Sequence, residues 1–269
     1  MFTPQVLVKK VIHRARRFVR RGSRLIWPRR YPDIQRLNLI YYAAPLEGND
    51  LWRVNLDRLR PHLHHFSRRV VAVVQGAGLA PFSDVRKELA SWDIEWVVGT
   101  NDASLGEVTL FPELLARIAS TEADVATFYG HTKGVSRPKN PAVALWRDAM
   151  YQACLDDLDA VKVALRGHSC AGPFKQFGGK VDCPEAPTIH FHFAGTFFWF
   201  RHDQLFTRHD WRRVPRCRFG VEAYLGQFFR EDEAACLYGE DAGCLYQMAE
   251  WEKMLSRWKT RAGRTFQPL

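Results

Sequence analysis

Between residues 37 and 131, short unbroken runs rich in β-branched residues alternate with amphipathic segments, and few folds accommodate that pattern. LNLIYYAAP (37–45), VVAVVQ (70–75), IEWVVGTN (94–101) and ADVATFYGH (123–131) read as strands. Trp52 to Phe66, Phe82 to Ala90 and Leu110 to Ala119 read as the helices between them. A strand that is apolar on both faces needs cover on both, and strands separated by helices run parallel. The pattern predicts an α/β fold, a single open Rossmann-like sheet. Ligands of such sheets sit beyond the carboxyl ends of the strands. That singles out Ala43 and Ala44, Gln75 and Gly76, Thr100 to Asp102, and Gly130 to Gly134.

Further along, Pro141 to Leu165 reads as one long amphipathic helix with Leu145, Ala149, Leu155, Leu158 and Val161 facing inward. Residues 166–188, rich in Gly and Pro, read as loop, and IHFHFAGTFFWFR (189–201) as a strand. A further helix is expected from about Gly220.

A net charge of +10 suggests a polyanionic partner until its position is considered. Residues 1–36 hold 11 Lys or Arg against one acid, Asp33, which leaves 28 basic and 28 acidic residues in the remainder. The chain therefore divides into a basic tail (1–36) and a neutral domain (37–269), and no specific nucleic-acid partner is expected. Within the tail, Leu7, Val8, Val11, Ile12, Ala15, Phe18 and Val19 recur at helical spacing between cations, before Pro28 and Pro32. Such a helix can lie in an anionic membrane surface through residues 5–27. A docking helix for another protein, or a tail that holds nucleic acid weakly, is the alternative.

No run approaches the roughly 18 apolar residues of a membrane span. Six cysteines without a secretory signal point to free thiols in a reducing, cytoplasmic compartment, peripheral to the inner face of the membrane if the tail binds it.

Four groups of residues could carry chemistry. YGHTKGVSR (129–137) follows a buried strand, and its glycines let backbone approach a ligand while Lys133, Arg137 and His131 offer charge or donors to a diphosphate. The spacing is not that of a Walker loop. GAG (76–78) opens like a dinucleotide fingerprint, but Pro81 stands in place of its third glycine. His168, Cys170, Cys183, His190 and His192 include metal-ligand types, without zinc-finger or H-E-x-x-H spacing; free thiols and structural histidines are the expectation, and no metal ligand is assigned. Acids stand at segment ends: Asp102, Glu107, Asp203, Glu222, Glu240 and Asp241. Of these, Glu222 interrupts an apolar helix start, where a carboxylate can be tuned toward general-base work.

His131-Thr132-Lys133 at a strand end, then Trp146-Arg147 on a helix, then AGTFFWFR (194–201), then Glu222 on a later helix, resembles the rhamnan synthesis protein F group and related GT-A-like glycosyltransferases. The resemblance covers about residues 100–225. It implies a GT-A-like fold that moves a sugar from a nucleotide-diphosphate donor to a glycan or lipid-linked acceptor in cell-surface polysaccharide synthesis. Carried over residue by residue, it marks His131, Thr132, Lys133, Trp146, Arg147, Gly195, Thr196, Phe198, Trp199, Glu222 and Glu107.

Phe197 stands where the family has Met, and the Asp-x-Asp motif that holds Mn²⁺ or Mg²⁺ is not seen. Lys133 could neutralise the diphosphate directly, so a divalent cofactor is left open. The expected layout puts the nucleoside near Tyr42, Ala43 and Asn101, the diphosphate on His131 and Lys133 with Arg137, and the sugar and acceptor on Gly195, Thr196 and Trp199. Asp203 belongs to the same binding set, and Glu222 is the candidate base. The alternatives are a non-catalytic carbohydrate or nucleotide-binding module and a nucleic-acid-associated protein acting through its tail.

Overall fold

The computed structural model describes residues 31–177, 183–186, 189–240 and 242–259. The basic tail helix and Asp241 lie outside the described residues. From Tyr31 onward the chain is one compact unit. Its leading segment is tied down by the Tyr31 N–H, which donates to the Arg166 carbonyl at 2.9 Å, and by the buried Ile34.

The four expected strands form and run parallel: β1 (Arg36–Ala43), β2 (Arg68–Gln75), β3 (Glu95–Thr100) and β4 (Val125–His131). Between them stand α1 (Leu51–Leu59), continued by a 3₁₀ turn to His65, then α2 (Phe82–Glu88) and α3 (Phe111–Ile118). Because side chains alternate along a strand, β1 sends Leu39 and Tyr41 into one core and Ile40 and Tyr42 into the other. Both faces are therefore covered, which is why the strand sequences are apolar without alternation.

The predicted long helix is two helices, α4 (Pro141–Tyr151) and α5 (Leu158–Gly167), joined by a π turn over Gln152–Asp156. Asp157 leaves the helical region and its carboxylate accepts the Ala160 N–H at 3.0 Å, a local bond that competes with helix continuation. Ala149, Leu155 and Val161 are buried as expected, and Leu145 and Leu158 pack at the margin of the core.

Residues 166–188, read as loop, contain β5 (Cys170–Gly172) and β6 (Lys175–Phe177). The single strand expected at 189–201 is two, β7 (Phe191–Phe193) and β8 (Phe198–Arg201). A turn with Gly195 at φ 91° and Thr196 at φ 61° separates them. β6 and β7 pair as a small separate sheet. α6 (His202–Leu205), α7 (Gly220–Phe228), β9 (Ala234–Cys236) and α8 (Met248–Lys259) complete the order.

The main sheet runs β3-β2-β1-β4-β8-β5-β9, with β8 antiparallel to both its neighbours. This is the GT-A-like, Rossmann-like open α/β sheet that the sequence predicts, parallel except for β8. Free thiols throughout were not the outcome: Cys183 and Cys217 form a disulfide with Cα atoms 6.0 Å apart, a separation that a bridge spans without backbone movement. Cys154, Cys170, Cys236 and Cys244 are free. Among the described residues no helix is long and apolar enough to cross a membrane.

Candidate functional site

The chain proceeds from β1 through β2 to β3 on one side, then returns to place β4 on the other side of β1. A crevice opens at such a reversal, beyond the carboxyl ends of the two diverging strands. Here those ends are Ala43 and His131. Thr132 stitches them together: its N–H donates to the Tyr42 carbonyl at 3.0 Å, and its Oγ1 accepts the Ala44 N–H at 2.9 Å.

β8 runs against β4, with Phe198 opposite Tyr129, so the turn that precedes β8 falls over the end of β4. This brings Gly195 to His131. The His131 Nε2–H donates to the Gly195 carbonyl at 2.9 Å, and Nδ1 lies 3.0 Å from Glu107 Oε1. The second Glu107 oxygen accepts the Tyr129 hydroxyl at 2.6 Å. Burial works against ionisation of Glu107, but His131, Tyr129 and Lys133 outweigh it and hold the carboxyl below the usual range. Both ring nitrogens of His131 are thus engaged within the protein. Expected to donate to a diphosphate, it instead positions the Gly195 turn.

On the other side of that turn, Glu222 Oε1 accepts the Gly195 N–H at 3.1 Å. Glu222 stands in the first turn of α7, where the chain has just packed Gly220 against the Pro215 carbonyl too closely for any Cβ. Burial raises the Glu222 carboxyl above its ordinary value, against the pull of Lys133 and the Gly195 N–H. His192 lies 3.9 Å from the same oxygen.

Lys133 is attracted by both acids but forms no ion pair with either among the described residues. Its Nζ lies 3.5 Å from the centroid of the Trp146 ring, and among the described residues it forms no ion pair or hydrogen bond. Burial pushes its ammonium down to about 8, against the attraction of Glu222 and Glu107. A cation partly withdrawn from water and left without an oxygen partner is costly unless an anion joins it. Nearby, the Trp146 indole N–H is buried and has no acceptor among the described residues.

The Lys133 backbone is fixed by a residue the sequence reading passed over. Asn55, fully buried on α1, donates to the Lys133 carbonyl at 3.1 Å and accepts its N–H at 3.0 Å. Tyr151 donates to the same Asn55 oxygen at 3.2 Å, and Tyr41 meets Tyr151 at 2.7 Å. The signal was present: Asn55 falls on the helix face of Trp52, Leu56 and Leu59, where an apolar residue would be expected.

Other expected site residues fall elsewhere. Trp199, expected to offer its face to a sugar ring, is fully buried, and its indole donates to the Cys154 carbonyl. Asp203 pairs with Arg201, which lies opposite Ala126 near the amino end of β4, at the far edge of the sheet from His131. Arg147 is buried against Asp148. Trp146 stands in the middle of α4.

The remaining site residues are more varied. Thr196 is buried, its φ of 61° part of the turn itself. Tyr42 is buried beside Thr109 and Glu107, whereas Asn101 is exposed just beyond β3. Arg137 is exposed, with its guanidinium 4.3 Å from the Tyr246 ring centroid.

Glu240 lies 3.5 Å from the buried Lys175. The metal-type residues do not converge: Cys183 is in the disulfide, and His168 bonds to the Ala164 carbonyl. Among the described residues no three His, Cys, Asp or Glu side chains are placed to hold a metal ion. Both oxygens of Glu107 are already in use, by the Tyr129 hydroxyl and by His131.

No family model matches the chain, and no curated protein does. Among solved structures it is similar to the crystal structure of 4-diphosphocytidyl-2C-methyl-D-erythritol synthase. The identity is 14%, the match covers 70% of this chain and 85% of that one, and the TM-score is 0.36. A likeness that loose says nothing of chemistry. The fold assignment stands on the strand order.

Proposed function

We propose that this domain is a glycosyltransferase that binds a nucleotide-diphosphate sugar in the crevice between β1 and β4. The observation that carries the reading is Lys133, a partly buried cation without an oxygen partner among the described residues, held by Asn55 at the reversal point of the sheet. The diphosphate supplies the missing oxygens. Negative charge grows on the leaving phosphate as the sugar departs, so a cation already in place stabilises the transition state more than the ground state. The Trp146 N–H, beside the Gly195 turn and without an acceptor among the described residues, is a donor for the same ligand.

The base in this reading is Glu222. Its raised carboxyl, once ionised, has the proton affinity to take the acceptor hydroxyl proton, and the Gly195 N–H orients it. A single base of this kind gives inversion at the anomeric carbon. Glu107 and His131 are positioning residues: they hold Gly195, and through it Glu222. The acceptor is a glycan or lipid-linked sugar of cell-surface polysaccharide, and residues 5–27 hold the protein at an anionic membrane.

The test is release of nucleoside diphosphate from a panel of nucleotide sugars, with wild type, Lys133→Met and Glu222→Gln compared. The reading requires release by wild type with one nucleotide class and loss in both variants. Binding without release in wild type would favour the non-catalytic module.

A further inference from the structure

Near Lys133 lies an open trough that the proposed donor chemistry does not use. It is a cavity of about 600 Å³ between the loop 137–140 and the start of α8, lined by Arg137, Pro138, Lys139, Asn140, Pro141 and Met248. A ladder of alternating cations and rings joins it to the crevice. Lys133 lies over Trp146 at 3.5 Å, Trp146 meets Tyr246 edge-on at 5.2 Å, and Tyr246 carries the Arg137 guanidinium at 4.3 Å. Arg137 and Lys139 are exposed and form no ion pair among the described residues, in contrast to Arg36, Arg53, Arg60 and Arg117, which are all held by carboxylates.

The Asn140 side chain caps α4 by accepting the Ala142 and Val143 N–H groups, so the helix end is already satisfied. What the trough offers a ligand is two side-chain cations on one wall. Beside them are exposed apolar surfaces, Tyr246 at 42% and Met248 at 39%.

We propose that this trough binds the phosphate of a phosphate-bearing acceptor, with Arg137 and Lys139 on the oxyanion and Tyr246 and Met248 against the apolar part next to it. Resting on the glycosyltransferase reading, the inference adds the acceptor's chemical class. An Arg guanidinium matches a phosphate with two parallel hydrogen bonds, and Lys adds a point charge. The ladder then runs from acceptor phosphate to donor diphosphate with a cation at each end, Arg137 for the one anion and Lys133 for the other.

The phosphate could belong to a lipid diphosphate or to a soluble sugar phosphate, and two probes separate these. Geranyl diphosphate and glucose 1-phosphate are titrated calorimetrically into the full-length protein, wild type, Arg137→Gln/Lys139→Gln and Lys133→Met, with uridine diphosphate and guanosine diphosphate as donor-site probes. The expected result is binding of at least one acceptor probe, weakened roughly tenfold or more in the double variant and kept in Lys133→Met. Geranyl diphosphate alone identifies a lipid source, and glucose 1-phosphate alone a soluble one.

Equal affinity of wild type and double variant, no binding of either probe, or loss only in Lys133→Met would overturn the inference. So would joint loss of nucleoside diphosphate and acceptor probe in the double variant, since that places Arg137 at the donor. If acceptor binding follows the double variant while no nucleotide binds, the inference about the trough stands and the donor reading fails. Nucleotide binding that depends on Lys133 alone, without any effect of the double variant on the probes, gives the converse.

Discussion

Glu107 and His131 come from different elements and meet at 3.0 Å, Oε1 to Nδ1. Since the opposite ring nitrogen donates to the Gly195 carbonyl, the pair fixes the turn before β8 against the end of β4. Gly195 in turn gives its N–H to Glu222. Four segments far apart in the chain are thereby tied into one site, with an acid at each end of the series of contacts.

His131→Ala removes both bonds and leaves Glu107 largely buried with one partner, Tyr129. A cost of about 2–4 kcal/mol is expected, since a charge loses its partner in a poorly hydrated setting. It is read as a lowered urea midpoint with an unchanged slope.

Asn55→Leu keeps the branched shape but strips Lys133 of both backbone bonds and leaves the Tyr151 hydroxyl without its acceptor. A loss of about 2–4 kcal/mol is expected, together with weaker nucleotide binding because the loop carrying Lys133 is no longer held. Asn55→Asp, which retains an acceptor for the Lys133 N–H and the Tyr151 hydroxyl, should recover part of the stability.

Lys133 also sets a pH window. Its folded-state value of about 8 lies below the ordinary 10.5, so between those values the unfolded chain holds a proton that the folded chain has shed. Stability from this group therefore rises with pH across the window, while an anion that needs the ammonium binds less well as pH climbs through about 8. Lys133→Met should abolish the rise in stability in thermal melts between pH 7 and pH 10.

The sheet that carries this site was legible in the sequence. β1 to β4 announced themselves because buried parallel strands are apolar on both faces, and the ligand end of the sheet followed from their direction. The sequence could not show that His131 spends both nitrogens on the protein, because its partners arrive from residues 107 and 195 through tertiary packing. Trp199 misled for a related reason: an aromatic in a strand looks the same whether its ring faces solvent or, as here, Phe66 and Phe128. The helix break at Asp157 and the turn at Gly195 were each written in residues that favour non-helical or left-handed backbone, but lay inside segments of strong periodicity.

The Cys183–Cys217 bridge closes onto the segment just ahead of α7, which carries Glu222. Replacing both cysteines by Ser should lower stability by about 3–4 kcal/mol under oxidising conditions, on a loop-entropy account. Under strong reductant, wild type and variant should melt together. A difference that persists in reductant would mean that the thiols contribute by packing instead.

Glu222→Gln keeps an oxygen for the Gly195 N–H while removing the base. Nucleotide binding should persist, and transfer should fall by about 10²-fold or more. Wild-type turnover should decline as pH falls through the raised value of this carboxyl, with the variant's residual rate flat over the same range.

The most direct measurement is the affinity of the full-length wild type and Lys133→Met for uridine, guanosine, cytidine and thymidine diphosphates, with and without Mn²⁺. The account predicts that wild type binds one of these without needing the metal, and that Lys133→Met, still folded by circular dichroism, loses that binding by roughly tenfold or more. Equal binding by the folded variant, or none by wild type to any of the four, would contradict a diphosphate site at Lys133.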